Sequence, residues 1–391
     1  PLTYPGFFQA ESGFLPAFNV ENISEAPNWG QIPDPLRGDG KLPYLLAWPF
    51  WQASGTGVAA IRWGYALAFV LGALAAYAWA RPWLGTQGGV LAAVVYTYLP
   101  WHLSTVYVRG ACAEAWLWVC LPLVLWAIDR LTERRFLSAG IVGILATLAA
   151  LWTQPGLYLL SLPLLAAYAA AMIPRSRRFL GWLVGTLAIT LLALWLVARI
   201  APTGDLTSVF YFLYPFQLFS ANWGSGLSFQ LGLAAVGLSL VAVALWMNRR
   251  SRRSDVADEG NISPSAPPPE PLAAFGRALW FWAITLLVLM LLMLPISATI
   301  WQWSGLDGLV KQPWQLLILT ALPLAFLSGS VIGLDRRLTA LPAWAGLIAL
   351  VILASYPYLA PRTTRVDPGS EPVARYRPDS ESASEIMLLD Y

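Results

Sequence analysis

The chain has 391 residues, of which 58% are hydrophobic and 12% are charged, and its mean hydropathy is +0.59. A soluble globule of this composition would have too little polar surface to cover its exterior, so a lipid bilayer must supply that cover. The formal net charge of +3 is too small to indicate a nucleic-acid partner. The composition therefore predicts an integral membrane protein, and its 21 Trp and 15 Tyr are typical of a chain with many membrane interfaces.

A long polar segment, residues 1–57, precedes the first apolar stretch and alternates acidic residues with aromatic residues and prolines. Loops of this length are uncommon in compact proteins without a functional reason, which makes the segment a candidate part of a site. A solvated loop with surface carboxylates is the alternative. Because the chain begins at Pro1 in the middle of polar sequence, we expect it to be a piece of a longer protein.

Ten apolar segments after residue 57 are predicted to cross the membrane, because a helix needs roughly 17 to 25 apolar residues to span the hydrocarbon core. Together they predict an all-α integral membrane fold, a polytopic helical bundle of about ten transmembrane helices with a long external first loop. The predicted spans are 58–80, 87–105, 113–130, 137–153, 156–173, 179–199, 227–247, 275–298, 314–333 and 341–360.

Arginines occur in alternate loops between the predicted spans, so one side of the bundle collects positive charge. The positive-inside rule places that side in the cytoplasm of a multi-pass plasma-membrane protein. Residues 1–57 and the tail 361–391 are then non-cytoplasmic, and a chain that starts in the cytoplasm would need one more N-terminal span. The loop arginines are Arg81, Arg130, Arg134, Arg135, Arg175, Arg177, Arg178, Arg249, Arg250, Arg252, Arg253, Arg336 and Arg337.

A polar stretch, 248–274, divides the predicted spans into a first group of seven (58–247) and a last group of three (275–360). Its clustered arginines, acidic residues and prolines predict a disordered cytoplasmic linker. The sequence contains no visible internal repeat of the kind that marks many transporters.

The short loop between the second and third predicted spans, 101–114, places ionisable residues close to the hydrocarbon. Such groups are costly there unless they are paired or face a wet cavity, so Arg109 and Glu114 are candidate functional residues. A guanidinium can hold a phosphate with two parallel hydrogen bonds, and a carboxylate is favoured near a helix N-terminus. A structural ion pair between the two is the alternative. His102 is predicted to be a proton carrier or an anchoring residue, and Tyr107 is a further candidate for substrate binding.

Two further external loops hold polar side chains at the membrane surface. Gln154 lies between the fourth and fifth predicted spans, while Lys311, Gln312 and Gln315 lie between the eighth and ninth. Lys311 would offer a positive charge to an anionic ligand, and the loop 201–226 is a candidate lining of the same cavity. Aromatic-belt residues explain much of this pattern equally well.

Several short motifs together resemble a known class of membrane enzyme. They are the long external first loop, the sequence Tyr107-Val108-Arg109-Gly110-Ala111 followed by Glu114 and Pro122, and the later sequence Lys311-Gln312-Pro313-Trp314-Gln315. In these features the chain resembles the GT-C class of integral membrane glycosyltransferases. The most similar branch is a bacterial one labelled as membrane proteins related to 6-pyruvoyl-tetrahydropterin synthase.

The resemblance implies a GT-C-like fold and a lipid-linked sugar donor carried on polyprenyl phosphate or diphosphate, with membrane lipids as further partners. It implies that Glu11 is the catalytic base and that Glu114 orients the acceptor or a divalent metal ion, whose use is left open. Arg109 and Lys311 would hold the carrier phosphate. The branch has Asp at the position of Glu11 and Arg at the position of Gln315, so this chain departs from it twice.

Two other functions stay open on the sequence. A non-catalytic scaffold or accessory subunit that keeps the fold would accommodate both departures. A transporter or flippase of a lipid-linked substrate would need charged or broken helices near the middle of the membrane, whereas the ionisable residues here lie at the ends of the predicted spans. The tail, 361–391, resembles the start of an external β-rich domain.

Overall fold

The computed structural model describes residues 6–8, 12–24, 38–132, 136–172, 212–220, 227–258, 270–310, 312–359 and 363–365. Two short strands, β1 (Gly6–Phe8) and β2 (Thr363–Arg365), pair antiparallel. The helices are α1 (Leu15–Glu21), α2 (Leu42–Ser54), α3 (Gly57–Tyr98), α4 (Pro100–Tyr107), α5 (Cys112–Thr132), α6 (Phe136–Thr153), α7 (Pro155–Met172), α8 (Leu233–Asp258), α9 (Glu270–Leu292), α10 (Ala298–Ser304), α11 (Leu317–Leu334) and α12 (Leu341–Ala354).

The long segment α3 folds back on itself at Gly85. The backbone leaves the helical region there, with φ 70° and ψ −178°, a conformation open to glycine because it has no Cβ. A Cβ on Gly72 would lie 3.7 Å from the Trp118 carbonyl oxygen, and the Tyr96 hydroxyl donates to the same oxygen at 2.8 Å. A straight helix would separate Gly72 from Tyr96 by about 36 Å, so the two legs of α3 form an antiparallel helical hairpin.

The two legs of this hairpin correspond to the predicted spans 58–80 and 87–105, but the second span is wrong at its end. Its helix stops at Tyr98, and Leu99 is extended, with φ −59° and ψ 135°. The residue after it is Pro100, and the ring of a proline disfavours helical backbone in the residue before it. The chain therefore begins a separate short helix, α4, at Pro100.

Apolar helices dominate the described residues. Every predicted span overlaps one of them except 179–199, which lies outside the described residues. The all-α, multi-pass membrane class is thus confirmed, while the number of ten spans stays a prediction. Two apolar helices, Leu137–Thr153 and Leu341–Ala354, are shorter than a full span. Within the described part of the chain, six helices are long and apolar enough to cross a membrane: Gly57–Tyr98, Cys112–Leu131, Pro155–Met172, Leu233–Ser251, Leu272–Leu292 and Pro313–Leu334.

Large apolar side chains form exposed stripes along the outer helices. On α6 they recur every three or four residues and so lie on one helix face. An exposed apolar stripe of this length would be unfavourable in water, whereas in a bilayer it contacts the acyl chains. The exposed residues of α6 are Leu137, Ile141, Ile144, Leu145 and Leu148.

The helix α11 lies at the centre of the bundle, with almost every residue buried. It packs against α3, α8 and α9. Two glycines meet where it packs on α3, and a Cβ on Gly329 would lie 2.6 Å from the Gly88 carbonyl oxygen. Small residues allow helices to approach closely in membranes, and this contact fixes the position of α11.

The connections between helices that contain the arginines lie together at one end of the bundle. There, Gln87 Nε2 donates to the Thr339 carbonyl oxygen at 3.0 Å, and Trp83 Nε1 donates to Asp129 at 2.9 Å. This agrees with the predicted grouping of those loops, although the side of the membrane that they face stays a prediction. We call this the arginine-rich end, after Arg81, Arg130, Arg249, Arg250, Arg336 and Arg337.

Two predicted segment boundaries differ from the structure. The segment 1–57, predicted as a loop, contains α1 and α2, and Glu21 of α1 accepts a hydrogen bond from the Gly57 backbone N–H at 2.6 Å. The predicted linker 248–274 is partly helical, because α8 continues to Asp258 and α9 begins at Glu270. The rest of that linker and most of the predicted C-terminal domain lie outside the described residues.

Candidate functional site

The turn between α4 and α5 presents Arg109 at the end of the bundle opposite the arginine-rich end. The Ser104 carbonyl oxygen accepts hydrogen bonds from the backbone N–H groups of Val108 at 3.0 Å and Arg109 at 2.9 Å, which ends α4. Gly110 follows with a φ of 64°, the left-handed conformation that glycine favours after a helix. The chain then enters α5, whose first turn contains Glu114.

Arg109 and Glu114 form a buried ion pair between Nη1 and Oε2, with side chains only 12% and 2% exposed. The other carboxylate oxygen of Glu114 accepts a hydrogen bond from Gln315 Nε2 at 3.3 Å. Gln315 Oε1 accepts from the Gln312 backbone N–H at 3.3 Å, which orients the amide. The structure therefore brings together four predicted site residues from two separate loops. Lys311, which precedes Gln312, lies outside the described residues.

Aromatic rings hold the Arg109 guanidinium in place. Its central carbon lies 5.4 Å from the ring centroid of Trp101 and 4.9 Å from that of Trp314. The two indoles meet edge to face at 5.3 Å, and Phe229 stacks on Trp101 at 5.8 Å. Each cation–π contact contributes about 0.5–2 kcal/mol, which fixes the arginine without removing its charge. The arginine–tryptophan cluster is defined here as Trp101, Arg109, Glu114, Trp314 and Gln315.

Two helix N-termini meet at the arginine–tryptophan cluster. Glu114 lies in the first turn of α5, and Gln315 lies in the 3₁₀ turn Pro313–Leu316 that leads into α11. The N-terminal end of a helix carries partial positive charge, so the two termini and Arg109 together favour an anion. In this structure the carboxylate of Glu114 is that anion.

The N-terminal segment is attached to the same turn. The Ser12 backbone N–H donates to the Arg109 carbonyl oxygen at 3.1 Å, and the Ser12 hydroxyl donates to the Gly110 carbonyl oxygen at 3.0 Å. The Tyr65 hydroxyl donates to this second oxygen at 2.7 Å. Glu11, the predicted base, precedes Ser12 in the sequence and lies outside the described residues.

Gln154 connects the turn between α6 and α7 to a carboxylate that sequence reasoning did not select. With its amide nitrogen facing the N-terminal segment, Gln154 donates to the Gly38 carbonyl oxygen at 3.0 Å and to Asp39 Oδ1 at 3.3 Å. The Gly-Asp-Gly sequence around Asp39 is typical of an ordinary turn, so it contained no signal specific to a site.

His102 and Tyr107 lie on α4, outside the candidate membrane spans. The His102 ring stacks on Trp118 with 3.9 Å between centroids, and its Nδ1 lies 3.2 Å from the Tyr96 carbonyl oxygen. Burial lowers the pKa of His102 to about 3, so the imidazole is neutral at ordinary pH. These contacts are those of an anchoring residue. Tyr107 lies 6.2 Å from the Phe69 ring, and burial raises the pKa of its hydroxyl.

A second buried carboxylate, Asp129, lies at the arginine-rich end and was also missed by sequence reasoning. It is 7% exposed and accepts hydrogen bonds from Trp83 Nε1 at 2.9 Å and from the Tyr168 hydroxyl at 2.8 Å. Trp79 Nε1 donates to the same hydroxyl at 3.4 Å. The network joins α3, α5 and α7. In the sequence, Asp129 followed by Arg130 is typical of an ordinary charged helix end, so it gave no signal of a buried network.

No three His, Cys, Asp or Glu side chains of the described residues lie close enough together to hold a metal ion. The role of a divalent ion suggested by the resemblance therefore stays a prediction.

The fold and the site define a multi-pass α-helical membrane protein with a buried ion pair at one end of its bundle. Comparison with family models, curated proteins and solved structures finds no match for this chain. The resemblance to the GT-C class thus stays a prediction from the sequence.

Proposed function

We propose that this chain is a membrane glycosyltransferase that moves a sugar from a polyprenyl-phosphate-type carrier to an acceptor at the non-cytoplasmic face of the bacterial plasma membrane. The observation that most supports the proposal is the position of Arg109, held against two tryptophan rings where two helix N-termini meet. A fixed cation in a site with little water stabilises the negative charge that develops on a departing phosphate.

The reaction needs a base and a cation on opposite sides of the sugar. The base removes the hydroxyl proton of the acceptor, whose oxygen forms a bond to C1 of the sugar. The bond from C1 to the carrier oxygen breaks, and its electron pair stays on the phosphate. The carrier phosphate would replace Glu114 at the Arg109 guanidinium, with Lys311 adding charge. Glu114 would keep its hydrogen bond with Gln315 and orient the acceptor.

Two carboxylates of the N-terminal segment are candidates for the base. The resemblance favours Glu11, which is adjacent in sequence to Ser12, and Ser12 is hydrogen-bonded to the Arg109–Gly110 turn. Asp39 is the candidate that the structure describes, oriented by Gln154. The two assignments are separable, because substitution of the true base by its amide should abolish proton removal while the other amide variant stays active.

The test is glycosyl transfer by the purified full chain in nanodiscs that contain polyprenyl-phosphate sugars, measured as release of the unglycosylated carrier. We expect Arg109→Gln/Glu114→Gln to lower kcat/KM about 10²–10³-fold. The double variant is preferable to Arg109→Ala, since loss of the arginine alone would leave the Glu114 carboxylate buried without a counter-charge. Either Glu11→Gln or Asp39→Asn should lower kcat about 10²–10⁴-fold.

The control is Arg336→Gln, which removes one positive charge at the opposite end of the bundle and should leave turnover unchanged. Thermal unfolding of each variant shows whether it is folded. The proposal would be contradicted if the wild type turned over none of the carriers offered. It would also be contradicted if a folded double variant kept full turnover.

A non-catalytic scaffold is the second candidate function. It is favoured by the ion pair itself, because Arg109 and Glu114 neutralise each other in a site that is nearly closed to solvent. In that case the double variant would lower the unfolding temperature and no sugar transfer would be found for any variant or for the wild type.

A further inference from the structure

A cleft of about 320 Å³ lies between α8 and α9 at the arginine-rich end, far from the arginine–tryptophan cluster. It is lined by Trp246, Met247, Arg250, Ser251 and Trp280, and is named here the α8–α9 cleft. Its chemistry is independent of the proposed glycosyltransferase activity.

Polarity in the α8–α9 cleft changes with depth. Trp246 and Met247 lie one helical turn, about 5.4 Å, before Arg250 and Ser251 on α8, which runs towards the arginine-rich end. Trp280 lies about 15 Å along α9 from the start of that helix, so it too is on the membrane side of the cleft. The cleft therefore has an apolar floor and a cationic mouth.

The aromatic wall of the cleft is already formed. Gly276 of α9 packs directly on the Trp246 ring, which a Cβ at this position would overlap. Phe275 meets the same ring edge to face at 5.7 Å. Because both neighbours come from α9, the indole is held between the two helices.

The charge at the mouth is accessible. Arg250 is exposed and forms no ion pair with any side chain of the described residues. Arg249 and Arg277 are also exposed on the same two helices and add positive charge near the mouth. Below them, Met247 is 55% exposed and Trp280 is 37% exposed, which leaves an apolar surface open beside the cation.

We propose that the α8–α9 cleft binds the headgroup of an anionic phospholipid. The phosphate would accept hydrogen bonds from Arg250, while the glycerol and first acyl carbons would pack on Met247 and Trp280. Basic pockets between membrane helices attract anionic headgroups in this way, and each arginine near the surface contributes about a fivefold gain in affinity. The ligand is an amphiphile because the site joins a cation to an apolar floor within one helical turn.

The test is native mass spectrometry of the purified full chain titrated with phosphatidylglycerol, with phosphatidylcholine and with inorganic phosphate. We expect tighter binding of phosphatidylglycerol than of phosphatidylcholine. Arg250→Gln should weaken phosphatidylglycerol binding about fivefold, and Arg250→Lys should weaken it less. The matched control is Arg336→Gln, which removes the same charge at the same end but outside the cleft, and should leave binding unchanged.

Three results would overturn the proposal. Equal affinity for the two phospholipids would show that the anionic headgroup is not recognised. An equal loss of phosphatidylglycerol affinity in Arg250→Gln and Arg336→Gln would show that the lipid is attracted to the whole arginine-rich end and not to this cleft. Displacement of phosphatidylglycerol by equimolar inorganic phosphate would show a site for a free anion, with no role for the apolar floor.

Discussion

Buried charges at the two ends of the bundle are stabilised in different ways. Arg109 has a counter-charge, Glu114, and the pair is held by aromatic rings. Asp129 accepts hydrogen bonds from two neutral donors, Trp83 and Tyr168. A buried carboxylate is tolerated when such donors satisfy its oxygens, and the donors in turn depend on it. Asp129 is therefore expected to stabilise the fold.

Asp129→Ala is expected to lower the free energy of unfolding by about 1–3 kcal/mol, because the donors on Trp83 and Tyr168 lose their acceptor in a buried site. Asp129→Asn keeps one acceptor oxygen for both donors, and its new NH₂ group can donate to the Tyr168 oxygen, so its loss should be clearly smaller. Denaturant unfolding in mild detergent measures both. Equal losses in the two variants would mean that the charge of Asp129, and not its hydrogen bonds, stabilises this end.

The helices show which parts of the fold are readable from sequence. Long apolar stretches predict helices because a bilayer requires every backbone group to be bonded within the span. The breaks at Gly85 and Pro100 are local effects of residue type, and the second was missed because apolar residues continue through it. The short helices α1 and α2 gave no periodic signal, since they are positioned by packing against α3 and each other.

Gly329→Ala tests the close contact between α3 and α11. The added methyl group would lie 2.6 Å from the Gly88 carbonyl oxygen and 2.7 Å from Leu84 Cδ1, so the helices must separate. We expect the free energy of unfolding to fall by about 1–3 kcal/mol. Thermal unfolding in detergent is the measurement.

The matched control for this substitution lies one turn further along the same helix. A Cβ on Gly333 would have nothing within 4 Å, so Gly333→Ala should leave stability unchanged or raise it by up to about 1 kcal/mol through helix propensity. Similar effects of the two substitutions would rule out a tight packing contact at Gly329.

At the scale of the whole molecule, the candidate site was only partly predictable. The sequence placed Arg109, Glu114 and Gln315 in loops on one side, because alternating loop charge determines topology. It gave no information on which side chains of different loops meet, since that depends on how α5 and α11 each pack against α3. The same limit explains why Asp39 was missed: its role depends on Gln154, which lies far along the chain in the turn between α6 and α7.

The predicted orientation is testable with single cysteines at the two ends of the bundle. Gln302 on α10 and Thr339 in the turn before α12 are both exposed, whereas the natural Cys112 and Cys120 are only 1% and 5% exposed and should give little background. If the positive-inside rule holds, a membrane-impermeant maleimide should label Gln302→Cys in intact spheroplasts and Thr339→Cys only after lysis. Labelling of Thr339→Cys before lysis would place the arginine-rich end outside. The arginine–tryptophan cluster would then face the cytoplasm, out of reach of an external acceptor, which would contradict the proposed reaction.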